Sequence, residues 1–180
     1  MLPNPERQNN KNRPFLKLEA LRSRSEMIVA EVGVQYGYNA LRILSTLNIK
    51  TIYLIDSYQP YPSAKDGTLS TNKQSPESLD FAKEYLKSYQ SKIVWIIDYS
   101  WNAHTRIPDE ELDFVYIDGD HRVEIVCKDV ELYMPKVKKG GYIAGHDYTR
   151  KYVKDGISKY FGSLDKIKHE GEDWWIRLEK

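Results

Sequence analysis

Two segments in the second half of the chain combine carboxylates with histidines. Asp118 and His121 follow the apolar run LDFVYI, and His146 and Asp147 follow the run GGYIAG. Both runs have the composition of buried strands. If the two strands are neighbours, these side chains converge, and two adjacent carboxylates in a pocket are costly unless a cation neutralises them.

This arrangement predicts a divalent metal site at Asp118, His146 and Asp147. His121 lies three residues after Asp118, where it could take a proton from a substrate hydroxyl held on the metal. The alternative is structural, with His121 capping a helix and His146 packed in the sheet.

A glycine-containing turn follows the first predicted strand, MIVAEV. Gly33 and Gly37 allow a sharp turn close to a ligand, and the helix that begins at Tyr38 presents free N–H groups to an anion. Glu31, two residues before the first glycine, suits a ligand with an ammonium group. The Gly-x-Gly-x-x-Gly pattern of dinucleotide-binding proteins is broken, since Gln35 stands at its second glycine. A plain strand–helix turn remains the alternative.

The next two strand ends point to a nucleoside. Asp56 ends the run TIYLID, where an acid can accept hydrogen bonds from both ribose hydroxyls. The run KIVWIID is followed by Tyr99, Ser100 and Trp101, whose rings and hydroxyl can flank and bind an adenine ring. A solvated aspartate and aromatic side chains that cap the core are the alternatives. Together with the glycine turn, these residues indicate an adenosine-bearing ligand.

Alternating strands and helices position these residues. The first four predicted strands are nearly continuous apolar runs, which is typical of strands covered by helices on both faces. We therefore predict an α/β fold with a Rossmann-like doubly wound sheet, mostly parallel with an antiparallel terminal strand, and helices on both faces. The predicted strands are 27–32, 51–56, 92–98, 112–118, 140–147, 164–168 and 174–178, and the predicted helices are 38–47, 75–89, 123–134 and 149–161.

Composition limits the classes of function. The 180 residues are 41% hydrophobic and 29% charged, as expected of one globular domain. Residues 1–14 are polar and predict a flexible N-terminal arm, followed by a single domain at 15–180. The net charge of +1 and the lack of a long apolar run argue against nucleic-acid and membrane partners. The single Cys127 fits the cytoplasm, and a homo-oligomer stays open.

The strand-end motifs, in this order, resemble class I S-adenosylmethionine (SAM)-dependent methyltransferases, in particular their compact small-molecule O-methyltransferase branch. AEVGVQYGYNALRIL resembles the first SAM-binding motif, and YLIDSYQPY resembles the second. YIDGDH and KKGGYIAGHDY are similar to segments of the metal-dependent catechol and macrolide-sugar O-methyltransferases. The resemblance runs from about residue 27 to residue 161.

The resemblance implies an enzyme that transfers the methyl group of SAM to a hydroxyl of a small molecule. In it, Glu31 and the glycine turn hold the methionine moiety, Asp56 holds the ribose, and the aromatic segment holds the adenine. The residues that the resemblance assigns to SAM are Glu31, Gly33, Gly37, Tyr38, Asn39, Asp56, Ser57, Tyr99, Ser100, Trp101 and Asp118.

The resemblance also places Asp118, His146 and Asp147 at metal-ligand positions and His121 at the general base, so that His121 and Asp118 form the catalytic pair. The related metal sites use oxygen donors, whereas this chain has His146. A histidine suits manganese, iron or zinc better than magnesium. Either the metal differs, or His146 turns away, or no metal binds. Without an inserted cap domain, the loop at 57–74 is expected to select the acceptor.

Other functions stay open on the sequence alone. N-methylation, or methylation of a protein or nucleic acid, would use the same fold. A binding protein that holds SAM without catalysis is a second class, although it would not need His121 and Asp118. A nicotinamide-dependent oxidoreductase is a third class, against which the broken glycine pattern argues.

Overall fold

The computed structural model describes residues 13–68 and 75–179, so most of the predicted arm and residues 69–74 lie outside the described residues. Among the described residues, no helix is both long and apolar enough to cross a membrane. The strands are β1 (Met27–Val32), β2 (Ile49–Ile55), β3 (Ile93–Ile96), β4 (Leu112–Ile117), β5 (Val137–Gly145), β6 (Lys168–Glu170) and β7 (Asp173–Arg177). The α-helices are α1 (Glu19–Arg22), α2 (Tyr38–Thr46), α3 (Pro76–Tyr85), α4 (Ser100–Ala103), α5 (Val123–Tyr133) and α6 (Lys151–Phe161).

The strands form one sheet in the order β3-β2-β1-β4-β5-β7-β6. Strands β1 to β5 pair in parallel, while β7 runs antiparallel to β5 and β6 runs antiparallel to β7. The predicted doubly wound sheet with an antiparallel end is confirmed. Because the order reverses between β1 and β4, the carboxyl ends of these two strands flank the crevice where such sheets bind ligands.

Two hydrophobic layers cover the two faces of the sheet. One contains side chains of α5 and α6, such as Val126 and Ile157, and the other contains side chains of α2, such as Ile43. Successive residues of β1 alternate between these layers, with Val29 in the second and Ala30 in the first. The burial of both faces explains why the central strands read as apolar runs rather than as alternating ones.

The N-terminal segment packs on the α2 side of the sheet. Pro14–Lys17 forms a 3-10 helix that begins with proline, a residue suited to the first helical position. Phe15 is completely buried, and its ring centroid lies 5.3 Å from that of Phe114 and 5.8 Å from that of Tyr142. Arg13 and Pro14, assigned by sequence to the flexible arm, are buried as well. Ordered packing therefore begins no later than Arg13.

The ends of several elements differ from the predictions. β3 stops at Ile96, because Asp98 turns the chain and accepts a hydrogen bond from the backbone N–H of Tyr99, just before the unpredicted helix α4. β5 begins at Val137, so the lysine-rich segment before its apolar run is also strand. The terminal hairpin is displaced by a few residues, because no long apolar run marks β6.

Candidate functional site

A cleft lies at the carboxyl ends of the central strands and contains two adjoining cavities. The first has a volume of about 400 Å³ and the second about 350 Å³. Gly33, Tyr61 and Gly119 line both cavities. The hydroxyl of Tyr61, on the loop after β2, donates a hydrogen bond of 3.2 Å to the carbonyl oxygen of Gly119, after β4. The two cavities therefore adjoin along a wall that includes this tyrosine.

The turn after β1 brings the backbone against the loop after β4. Gly33 has φ +89°, and a Cβ atom there would lie 2.2 Å from the carbonyl oxygen of Asp118. Glycine is required on both counts, since a side chain would collide with backbone and left-handed φ favours glycine. Gly37 has φ +78° and packs against Leu86, where a Cβ atom would lie 2.9 Å from a side-chain carbon. Gly37 lines neither cavity, so its contribution is to the turn itself.

Asp56, at the end of β2, holds this turn in place. Its Oδ2 accepts hydrogen bonds from the backbone N–H groups of Val34, at 3.0 Å, and Gln35, at 2.9 Å. Its Oδ1 accepts one from the N–H of Tyr58, at 2.8 Å. Burial raises the pKa of Asp56, while these three bonds partly oppose that effect. Both oxygens are thus already engaged with protein backbone, although the residue also lines the second cavity.

Glu31 is a buried acid on the floor of the first cavity. Its Oε1 accepts a hydrogen bond of 3.1 Å from the Asn39 amide, whereas its Oε2 is buried without a hydrogen-bond partner. Burial raises the pKa of Glu31 to about 8, against the lowering effect of Asn39. The Oδ1 of Asn39 in turn accepts a hydrogen bond of 2.9 Å from Arg13. The side chains of Glu31, Asn39 and Arg13 are therefore linked in this order by hydrogen bonds, and all three line the first cavity.

The second cavity is lined by Ser57 and by the aromatic segment after β3. The rings of Tyr99 and Trp101 stack on each other, with centroids 4.6 Å apart and planes at 7°. The hydroxyl of Ser100 donates a hydrogen bond of 2.6 Å to Asp129 of α5. The segment presents an aromatic surface to the cavity, and its serine is held by a buried carboxylate.

The acid–histidine cluster lies in the first cavity. The Nε2 of His121 lies 2.8 Å from Oδ2 of Asp147 and 3.6 Å from Oδ1 of Asp118. The Nδ1 of His146 lies 3.3 Å from Asp147 and 3.7 Å from Asp118. The Nε of Arg150 also reaches Asp147, at 3.1 Å. The two predicted carboxylates are therefore together, flanked by two imidazoles and a guanidinium.

Charges in this cluster stabilise one another. Burial by itself lowers the pKa of His121, but the contacts with Asp118 and Asp147 outweigh it and raise that pKa to about 9. Burial by itself raises the pKa of Asp147, but His121 and His146 hold it well below its usual range. The two carboxylates thus favour the protonated form of His121, and a divalent cation bound by Nε2 would have to displace this proton. Asp147 has φ +57°, a strained conformation for a non-glycine residue.

The sequence of this cleft matches a known family. Residues 30–148, about two thirds of the chain, match the family described as a methyltransferase domain. The chain belongs to this family. Its sheet order and its strand-end cleft are those of a class I SAM-dependent methyltransferase, as the sequence motifs predict.

Relatives of the methyltransferase are distant. An uncharacterised protein of Acanthamoeba polyphaga mimivirus is 28% identical over 128 residues, which are 69% of this chain and 53% of the viral protein. The match therefore spans about half the length of that relative.

Solved structures share the fold at low sequence identity. The O-methyltransferase NovP superposes with a TM-score of 0.67 at 18% identity, covering 98% of this chain and 79% of NovP. The calicheamicin methyltransferase CalS11 has a TM-score of 0.68 at 15% identity, covering 93% of this chain and 77% of CalS11. An rRNA methylase from Streptococcus thermophilus has a TM-score of 0.61 at 16% identity, covering 100% and 98%. At these identities the likeness shows the fold alone.

The methyltransferase fold gathers most of the predicted site residues in the cleft. The first cavity is lined by Glu31, Gly33, Tyr38, Asn39, Asp118, His121, His146 and Asp147. The second is lined by Gly33, Asp56, Ser57, Tyr99, Ser100 and Trp101. Sequence reasoning missed Arg13, Arg42 and Arg150, which also line the first cavity. Arg42 follows Asn39 by three residues on α2, so helical spacing could have found it, whereas nothing local signals Arg13.

Proposed function

We propose that this chain transfers the methyl group of SAM to a hydroxyl of a small molecule, with a divalent cation at the acid–histidine cluster. The observation that carries the proposal is that the first cavity holds the buried acid Glu31 together with Asp118 and Asp147, and that it adjoins the second cavity with its aromatic lining. Within the methyltransferase family, the buried acid and the aromatic lining suit the donor. The cluster lies where an acceptor can meet the methyl group.

The residues present fit SAM. The methionine moiety would lie in the first cavity, where the unpartnered Oε2 of Glu31 suits an ammonium group. The adenosine would lie in the second cavity, with its ring against Trp101 and its ribose near Ser57. Since the oxygens of Asp56 already accept three backbone N–H bonds, we assign Asp56 mainly to holding the turn that contacts the donor.

The cluster also fits a divalent cation. One donor atom each of Asp118, His121 and Asp147 lies within 4.8 Å of the other two. The Nε2 of His121 lies close to Asp147 but is not aligned for a hydrogen bond, so a cation that displaces its proton can bind this nitrogen. This geometry favours His121 over His146 as the imidazole ligand. Two carboxylates with one imidazole are a suitable set for manganese or iron.

Positioning is the main contribution of the chain to catalysis. When bound, SAM supplies the methyl group, whose bond to sulfur breaks as the bond to the acceptor oxygen forms. When bound, the cation orients the acceptor hydroxyl and lowers its pKa. Both oxygens of Asp118 lie more than 3.5 Å from the nearest imidazole nitrogen, so one can bind the cation while the other keeps a lone pair to take the hydroxyl proton. Holding donor and acceptor in line can lower the barrier by roughly 7–11 kcal/mol.

Calorimetric titration tests the donor, and product analysis tests the transfer. Titration with S-adenosylhomocysteine, the demethylated product of SAM, is expected to show one site whose affinity survives EDTA. Incubation with SAM and a panel of phenols, sugars, amines and RNA, followed by mass spectrometry, is expected to yield a methylated hydroxyl compound only when Mn²⁺, Fe²⁺ or Mg²⁺ is present.

Two carboxylate variants serve as a matched pair for the cation. Asp147→Asn removes a proposed ligand, whereas Asp155→Asn changes an exposed aspartate that pairs with Lys151 on α6. We expect the first variant alone to lose metal-dependent turnover. Methylation of an amine or of RNA in place of a hydroxyl would overturn the proposed acceptor class, and full activity in EDTA would overturn the cation.

A further inference from the structure

Arg13 places a buried positive charge in the first cavity. The residue is only 8% exposed, and it lines the cavity together with Glu31 and Asn39. Burying a guanidinium is costly unless partners compensate for the lost water. If the protein itself does not accept hydrogen bonds from all of the N–H groups of Arg13, a ligand that accepts the remaining ones is expected in the cavity.

Those partners are incomplete. A guanidinium has five N–H donors, and within residues 13–68 and 75–179 the Nε of Arg13 donates one hydrogen bond, to Asn39. Among the described residues the nearest carboxylate is Asp173, which lies 3.9 Å from a terminal nitrogen, beyond hydrogen-bond distance. Asp173 is already occupied, since it accepts hydrogen bonds from the Tyr116 hydroxyl at 2.7 Å and from the Phe15 N–H at 3.1 Å. The terminal nitrogens of Arg13 thus retain N–H donors, on a residue that is largely buried and lines the cavity.

An acidic side chain, Glu31, lies near Arg13 in the same cavity and complements its positive charge. Asn39 joins the two groups, because its amide donates to Glu31 and its oxygen accepts from Arg13. The free Oε2 of Glu31 and the free donors of Arg13 are thus one amide side chain apart, both in the first cavity. An α-amino acid carries an ammonium and a carboxylate on one carbon, so it can meet both groups at once.

We propose that Arg13 binds the carboxylate of the methionine moiety of SAM while Glu31 binds its ammonium group. This inference rests on the proposed function, since it names a further residue for the same donor. A guanidinium is well suited to the role because it can give a carboxylate two parallel hydrogen bonds. The segment before β1 is therefore part of the donor site.

The fold fixes Arg13 through its neighbours. The ring of Phe15 packs against that of Phe114. The backbone N–H of Phe15 donates a hydrogen bond to Asp173 of β7, 158 residues further along the chain, and this bond holds the N-terminal segment against the sheet. Arg13 is two residues before this anchor, and its Nε is oriented by Asn39 of α2. The guanidinium is thus held in position before a ligand arrives, which reduces the entropy lost on binding.

Two variants and two ligands separate this role from a structural one. Arg13→Gln removes the charge, and Arg24→Gln is the matched control, because Arg24 also makes part-buried bonds, to Asp113 and Gly140, away from the cleft. S-adenosylhomocysteine carries the amino-acid carboxylate, and 5′-methylthioadenosine lacks the whole amino-acid part. Affinities are measured by calorimetry, and folding is checked by circular dichroism and thermal unfolding.

We expect Arg13→Gln to weaken S-adenosylhomocysteine about 10- to 100-fold, the effect of losing a charged hydrogen bond. It should change the affinity for 5′-methylthioadenosine less than about three-fold, and Arg24→Gln should change neither. Equal losses for both ligands, or no loss for either, would overturn the role of Arg13 while leaving the methyl donor established. If the unaltered chain binds neither ligand, the proposed function itself fails.

Discussion

Glu31 offers the sharpest test of the donor site, because its proton must leave when an ammonium group arrives. Burial raises its pKa to about 8 in the unliganded chain. A cation at hydrogen-bond distance typically lowers the pKa of a carboxyl by one to three units. Binding of S-adenosylhomocysteine should therefore release the proton of Glu31 to the solvent.

The size of the effect follows from the pKa. At pH 7 a carboxyl with a pKa of about 8 is about nine-tenths protonated, so a fall of one to three pKa units on binding should release about 0.4 to 0.9 proton. Over the range from about pH 6 to pH 8, affinity should rise up to about tenfold per pH unit, since protons compete with the ligand. Above pH 8 Glu31 is already ionised and the rise should level off.

Calorimetry in buffers of different ionisation enthalpy measures the number of released protons directly. Glu31→Gln keeps the shape of the side chain but has no proton to lose. It should bind about 10- to 100-fold more weakly and lack the proton release that Glu31 causes, leaving only the titration of the ligand. If both proteins release the same number of protons at pH 7, the ammonium does not bind at Glu31 and the reasoning is wrong.

The same pKa affects the stability of the unliganded chain. The folded-state pKa of Glu31, about 8, lies above the ordinary value of 4.5, so the folded chain binds this proton more tightly than the unfolded one. The stabilising contribution is complete below about pH 4.5 and is lost as the pH rises through 8. Between pH 5 and pH 8 the free energy of unfolding should fall on the order of 3 kcal/mol relative to Glu31→Gln in urea titrations.

Four further changes probe the other parts of the cleft. Gly33→Ala should cost at least about 3 kcal/mol in urea unfolding, because its Cβ would collide with backbone, whereas Gly67→Ala, with positive φ but open space, should cost only about 1 kcal/mol. Asp56→Asn should lower the free energy of unfolding by about 2 kcal/mol, because the carboxylate accepts hydrogen bonds from three backbone N–H groups. It should also weaken S-adenosylhomocysteine binding, and an unchanged affinity would contradict the role of Asp56 in the turn. His121→Ala should weaken Mn²⁺ binding and reduce metal-dependent turnover by at least about 10- to 100-fold while leaving S-adenosylhomocysteine affinity nearly intact, and unchanged Mn²⁺ binding would contradict its role as a ligand. Phe15→Ala should cost about 3–5 kcal/mol and, by releasing the segment before β1, weaken S-adenosylhomocysteine binding; calorimetry that shows full affinity would contradict the anchoring.

The sheet could be predicted because its signals are local. Apolar runs such as LDFVYI match observed strands within a few residues, since a strand buried on both faces must be apolar throughout. Residues at the ends of parallel strands must then meet at one edge, which is why the sequence predicts that Glu31, Asp118 and Asp147 lie in one cleft. The short helices α1 and α4 were not predicted, because four residues are too few to show a helical period.

The family, the sheet and the position of the candidate site residues at strand ends can be read from the sequence, because they depend on patterns within a few consecutive residues. Which hydrogen-bond partner each polar side chain has can be read only from the three-dimensional structure. It engages Asp56 with backbone N–H groups and turns His121 towards two carboxylates. It also brings Arg13 into the cleft through an anchor near the opposite end of the chain. Hydrogen-bond partners depend on distances of a few ångströms between remote segments, and sequence spacing does not contain that information.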